Sequence, residues 1–192
     1  MPEPVKSRKS RVSPLREGEV FALVLDRLRA VGYELLSVGD VAADARMSKA
    51  TIYRQWGGKP ELVARALSWR GCLDVADIDT GTLRGDLKRL AVVLIERRDP
   101  ELNRAMAQAI HRDPALLEAF RTHFLRPGSE ATERLLARAV ERGEVAADRA
   151  ALPYVRSALF GAFMGQGILG DPLDEEWANG YVDHLIAPAL GL

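Results

Sequence analysis

Residues 48–56, SKATIYRQW, hold more hydrogen-bonding chemistry than a short helix needs for its own folding. Lys49, Thr51, Tyr53, Arg54 and Gln55 supply ammonium, hydroxyl, guanidinium and amide groups, while only Ile52 and Trp56, one turn apart, are bulky and apolar. Such a set suits recognition of phosphates and base edges. Ala50 keeps the helix slim, and its methyl matches a thymine methyl. Bond-making chemistry finds less support. His111, His123 and His184 lack metal-ligand spacing, Cys72 has no CxxC partner, and the Glu175-Glu176 pair reads as solvated. There is no phosphate loop, dinucleotide fingerprint or nucleophile elbow, so no enzyme activity, metal or cofactor is expected.

The elements that must hold this stretch are helical, and no alternating strand pattern occurs. Phe21, Val24, Leu25 and Leu28 form the stripe of a first helix, with Gly32 at its expected end. Ser37 and Asp40 make a capping box for a second, two-turn helix carrying Val38, Val41, Ala42 and Ala45. Ser48 caps the third. Pro60 opens a fourth helix with Leu62, Ala66, Trp69 and Leu73 as its stripe, Gly57-Gly58-Lys59 being the connection. Beyond a polar break at 77–81, helices are expected at 82–98, 101–112, 114–142 with an interruption at Pro127-Gly128, 148–169 and 174–190. The expected fold is all-α with about nine helices. It divides into a basic arm (1–14), a three-helix helix-turn-helix domain (15–60), and a larger helical domain (61–192) joined through the fourth helix.

The composition, 47% hydrophobic and 28% charged, is that of a soluble globular chain. The formal net charge of +0 conceals an asymmetry: residues 1–60 carry 11 Lys/Arg against 7 Asp/Glu, and residues 61–192 carry 16 against 20. A basic front and an acidic remainder point the front at a polyanion. The arm, with Lys6, Arg8, Lys9, Arg11 and Arg16, suits DNA binding and also suits a solubilising tail. One cysteine rules out an internal disulfide. No signal peptide or membrane span is evident, so the expected compartment is the cytoplasm.

Two short helices joined by a tight turn, the second rich in polar and basic residues, match the unit whose second helix enters the major groove. Here the sequence VGYELLSVGDVAADARMSKATIYRQWGGKPELVARAL resembles the N-terminal domain of the tetracycline-repressor (TetR) family of transcriptional regulators. The resemblance rests on Gly32, Tyr33, Ser37, the run from Ser48 to Trp56, and Lys59, and covers about 45 residues. It implies a DNA-binding face of Ser37, Ser48, Lys49, Ala50, Thr51, Tyr53, Arg54 and Lys59. Ser37, Thr51, Tyr53 and Lys59 are implied on phosphates, with bases read near Lys49, Ala50 and Arg54. Two positions depart from the family pattern: Arg46 replaces the usual turn glycine, and Gly58 replaces a common serine cap.

In the second domain, 148–169 and 174–190 carry broad apolar surfaces interspersed with small residues. The resemblance implies that they pair with symmetry mates into a homodimer, through Leu159, Gly161, Ala162, Gly165, Trp177, Tyr181 and Leu185, on a palindromic double-stranded operator. It also implies a cavity for a small apolar or amphipathic effector. Expected liners are Trp69, Met106, Ile110, Phe120, Phe124 and Phe163, with Gln108, His111, His123 and Tyr154 as polar anchors. The expected function is a repressor released by that effector. The alternative is a helical ligand-binding module or sensor without repressor activity.

Overall fold

The computed structural model describes residues 12–71, 78–169 and 172–192, all of them helix, turn or connection. The arm cations Lys6, Arg8, Lys9 and Arg11, and Cys72, lie outside the described residues. Helix α1, Pro14–Leu35, starts with proline in its first turn and Ser13 as cap, and buries Val20, Phe21, Val24, Leu25 and Leu28. Gly32, at φ +73° and ψ 174°, breaks it as expected, but one more turn follows and carries Tyr33 into the core. Arg16 belongs to this helix and not to a free arm: its guanidinium pairs with Glu19 and donates to the carbonyl of Ala45.

Helices α2 (Val38–Asp44) and α3 (Lys49–Trp56) are capped by Ser37 and Ser48. Between them Arg46 adopts φ +50°, the left-handed conformation for which the family uses glycine. Met47 N–H reaches the carbonyl of Ala42 at 2.8 Å and Arg46 N–H that of Ala43 at 3.0 Å, a Schellman closure that only a left-handed residue completes. The side chain is exposed, so the strain is carried for the backbone alone. Arg46→Gly should therefore stabilise the protein by about 0.5–1 kcal/mol, the relief of left-handed strain less the greater freedom of unfolded glycine. Arg46→Ala keeps the strain and should give no gain. Equal urea midpoints for the two variants would count against this account.

Helix α4, Lys59–Gly71, packs on α1. The rest comprises α5 (Leu83–Glu96), α6 (Pro100–Arg112), α7 (Pro114–Phe120), α8 (Arg126–Glu141), α9 (Val155–Leu169), α10 (Glu175–Tyr181) and α11 (Ala187–Leu190). Two wide π turns, Arg121–Leu125 and Val182–Ile186, join α7 to α8 and α10 to α11, so the described residues form nine continuous rods. The break expected at Pro127-Gly128 is thus a π turn, and the single helix expected over 174–190 contains another. Each ends two residues before a proline, Pro127 or Pro188. Proline cannot donate to the carbonyl four residues back and its ring crowds that turn, which widening relieves. Pro153 likewise delays α9: the helix expected from 148 begins at Val155, after a 3₁₀ turn at Leu152–Tyr154.

Packing does not respect the division expected at residue 60. One core joins the apolar faces of α1–α4 to Leu102, Met106 and Ala109 of α6 and Leu116 of α7. The other unites α5, α8, α9 and α10–α11 around Leu83, Leu87, Leu135, Val155 and Val182. Helix α6 is tied to α1 at both ends. Asp99, its N-cap, meets Arg29 at 3.0 Å and Arg70 at 3.2 Å. Burial acts to raise the Asp99 pKa, but the Leu102 N–H and the two guanidinium groups hold it below the usual carboxylate range. At the other end Asp113 accepts a hydrogen bond from the Tyr33 hydroxyl at 2.6 Å.

Candidate nucleic-acid interface

Helix α3 buries two side chains and exposes four. Ile52 is fully buried, and Trp56 packs tilted on Phe21 at 5.8 Å while its indole N–H donates to Glu17 at 2.8 Å. Lys49 and Tyr53, and Ala50 and Arg54, are i, i+4 pairs, so these four share the outer face, and all four are exposed. Tyr53 is 53% exposed, unusual for an aromatic with a buried core beside it. Ser48 Oγ accepts Thr51 N–H at 3.1 Å and lies 2.9 Å from the Thr51 hydroxyl. Ser37 Oγ accepts Gly39 N–H at 3.1 Å. The end of the Lys49 side chain crosses Gly39, where an added Cβ would lie 2.5 Å from Lys49 Cε; the glycine thus makes room for the lysine.

The nearby carboxylates are neutralised from behind. Arg27 of α1 bonds Asp44 at 2.6 Å and Asp40 at 3.5 Å, and this guanidinium holds the Asp44 carboxyl below its ordinary range. Lys49 and Arg54 make no ion pair among the described residues. Lys59, first residue of α4, lies with its ammonium 4.2 Å from the centre of the Tyr33 ring and donates to the Glu34 carbonyl at 3.2 Å. The missing serine cap before it is replaced by Glu61, which accepts the Gly58 N–H at 3.1 Å. Lys49, Ala50, Tyr53 and Arg54 thus form an exposed, cationic and hydroxyl-bearing face on a capped helix, with the Lys49 side chain reaching over Gly39 of α2.

A second feature lies away from this face. An open cavity of about 720 Å³ is walled by Ser68 of α4, Leu90 and Leu94 of α5, Phe124 and Leu125 of the first π turn, Thr132 of α8, and Leu159 and Phe160 of α9. Of the six expected liners only Phe124 reaches it. Met106, Ile110 and Phe120 pack with the first core, Phe120 stacking on Phe124 at 4.7 Å. Trp69 is 49% exposed beside Phe21, and Phe163 meets the edge of Trp177 at 5.5 Å. None of the expected polar anchors walls it. Gln108 and His111 are exposed, as is Tyr154, and His123 is half-buried on the π turn, its pKa lowered by burial and by Arg65. The π turn and α5 supply walls that residue spacing alone did not single out.

On α9 and α10, the side chains expected at a subunit interface divide. Leu159 is buried, and the Tyr181 hydroxyl, its ring stacked on Trp177 of the same helix at 5.2 Å, donates to the Ala158 carbonyl at 3.0 Å and so binds α10 to α9. Ala162 is half-buried. Gly161 and Gly165 face open space, and Phe160 and Leu185 are 48% and 53% exposed.

Two family models match the chain: bacterial regulatory proteins of the tetR family over residues 27–66, and the tetracyclin repressor-like C-terminal domain over residues 77–185. The chain belongs to the tetR family. This tetR-family protein is 34% identical over 179 residues to an uncharacterized HTH-type transcriptional regulator of Mycobacterium tuberculosis, covering 91% of this chain and 88% of that one. To the DNA-binding transcriptional repressor TetR of Mycobacteroides abscessus it is 35% identical over 181 residues, covering 89% and 92%. In fold it is similar to a crystal structure of a TetR family transcription regulator, with a TM-score of 0.71 at 23% identity over 89% of this chain and 96% of that one. A transcriptional regulator from Pseudomonas aeruginosa gives 0.68 at 21% identity, covering 96% and 95%. The protein is a DNA-binding transcriptional regulator of the helix-turn-helix type. No described helix is long and apolar enough to cross a membrane.

Proposed function

We propose that the protein is a cytoplasmic, non-enzymatic repressor that binds a palindromic operator as a homodimer through α3 and leaves it when a small apolar or amphipathic molecule enters the cavity. The observation that carries this reading is the outer face of α3, where Lys49, Ala50, Tyr53 and Arg54 stand together, capped at Ser48 and uncovered by the described residues. The repressor named among its relatives supports the sign of regulation. A ligand-binding module without DNA activity leaves that face without a role. The test is selection from a pool of randomised duplexes with purified protein. An inverted repeat with half-sites about 10 base pairs apart, or a multiple of that, should be enriched. A pool that remains random after repeated rounds would overturn the reading.

The dimer is supported by the exposed Leu185 and by Gly161 and Gly165, where an added Cβ would meet no atom within 4 Å. A Cβ added at Gly161 meets no atom within 4 Å among the described residues, so a leucine there starts into open space and its effect falls on whatever covers this face. It should shift the protein to monomer, by light scattering at micromolar concentration, and abolish binding to a two-half-site duplex. A dimer of unchanged affinity would place the interface elsewhere.

A further inference from the structure

Lys59 is not a free surface lysine. An ammonium has three N–H donors, and here one goes to the Glu34 carbonyl at 3.2 Å while the group rests 4.2 Å from the centre of the Tyr33 ring. The ring in turn cannot drift. Tyr33 follows the Gly32 kink, is 4% exposed, and its hydroxyl donates to Asp113 Oδ2 at 2.6 Å across 80 positions of sequence. Asp113 is fixed as well, since its Oδ1 accepts the N–H groups of Ala115 at 2.9 Å and Leu116 at 3.1 Å and so caps α7. Burial, and then this bond, push the Tyr33 pKa far above its ordinary value, while the Tyr33 hydroxyl foremost holds the Asp113 carboxyl below its own. The bond joins a neutral phenol to an ionised carboxylate, a short charge-assisted pair at ordinary pH.

We propose that Tyr33 and Asp113 are positioning residues for DNA affinity: Asp113, on the α6–α7 corner outside the helix-turn-helix, fixes the Tyr33 ring, and the ring aims the Lys59 ammonium at a phosphate. The inference rests on the reading of Lys59 as a phosphate contact. It adds to that reading two residues that touch no DNA, one of them about 50 positions beyond the DNA-binding motif.

The test compares Tyr33→Phe, Asp113→Asn and Lys59→Ala, singly and with each of the first two combined with the third, using the full chain on a duplex obtained by the selection above. Asparagine caps a helix as well as aspartate does, so Asp113→Asn keeps α7 while removing the charged acceptor. Each of the two positioning variants keeps the ring and loses only its fixed placement, so binding should weaken several-fold and by no more than about thirtyfold, the full worth of one exposed cation–π contact counted in both protomers. Neither should change the slope of affinity against salt, because the lysine charge remains. Lys59→Ala should lower that slope by about 2 per dimer. Adding Tyr33→Phe or Asp113→Asn to Lys59→Ala should cost nothing more. Circular dichroism melts set a temperature at which every variant is folded. If Lys59→Ala weakens binding but the other two do not, or if their losses multiply with it, the positioning role is wrong and the phosphate contact stands. If Lys59→Ala itself has no effect, the phosphate reading falls and the positioning role falls with it.

Discussion

Asp86→Ala should lower the unfolding free energy by about 3–5 kcal/mol, the usual cost of removing one partner from a buried ionic network. Asp86 on α5 is fully buried. It accepts from Thr80 N–H at 2.6 Å and the Thr80 hydroxyl at 2.9 Å, and meets Arg142 at 3.2 Å and Arg138 at 3.9 Å. Arg138 also donates to the Ile78 carbonyl, and Glu144 accepts the Leu83 N–H at 2.5 Å, so the segment leading into α5 is stapled to the end of α8. Alanine would take the shared acceptor from Arg138, Arg142 and Thr80, leaving Arg142 with Glu144 and Asp79 alone. Urea melts at one fixed protein concentration should show the midpoint fall with an unchanged slope, since the denatured surface is the same. Asp86→Asn keeps the acceptor for Thr80 and should fall between. A loss below about 1 kcal/mol would mean that water reaches these groups and that the network is solvated.

The second large effect is on DNA. Tyr53→Phe with Lys59→Ala should weaken operator binding by about 10³-fold at moderate salt, taking roughly 1 kcal/mol for each of two phosphate contacts in each of two protomers. The loss should be nearly the same on every duplex, because phosphate contacts carry no sequence information. Lys49→Ala or Arg54→Ala should instead redistribute preference among sequences, at about 1–3 kcal/mol per lost base contact. Anisotropy titrations against the selected duplex and single-base variants separate the two patterns. A uniform loss from Arg54→Ala, or unchanged binding by the Tyr53–Lys59 double variant, would require reassigning those contacts.

The first four helices and the exposed face of α3 were legible because their signals are local. Caps at Ser37 and Ser48, the i, i+4 pairing of Ile52 with Trp56, and the demand for a left-handed residue at Arg46 all lie within a few positions of the structure they dictate. Long-range packing was not legible. Leu102 and Met106 have the same stripe whether they face the second domain or the first, and only the tertiary fold puts them beneath α1. The split between Leu159, buried, and Phe160, exposed, follows from one residue of helical rotation. That phase depends on where α9 begins, which Pro153 moves to Val155. The cavity walls escaped for the same reason: Leu90 and Leu94 lie on α5, Leu125 on the first π turn and Leu159 on α9, and no spacing links these three elements.

The hydrophobic core that α1–α4 share with α6 and α7 limits how this regulator can be recombined. A hybrid regulator could graft this DNA-reading segment onto another protein's sensor with the seam just after the fourth helix. Here that seam would cut through Leu102, Met106, Ala109 and Leu116 and would sever both Arg29–Asp99 and Tyr33–Asp113. The smallest transplantable unit is therefore discontinuous in sequence: α1–α4 together with α6 and α7, exchanged as a set. A graft that carries only the first 71 residues must meet a foreign α6 with matching carboxylates at both ends, and the choice of donor can be made on those two positions before any DNA is synthesised.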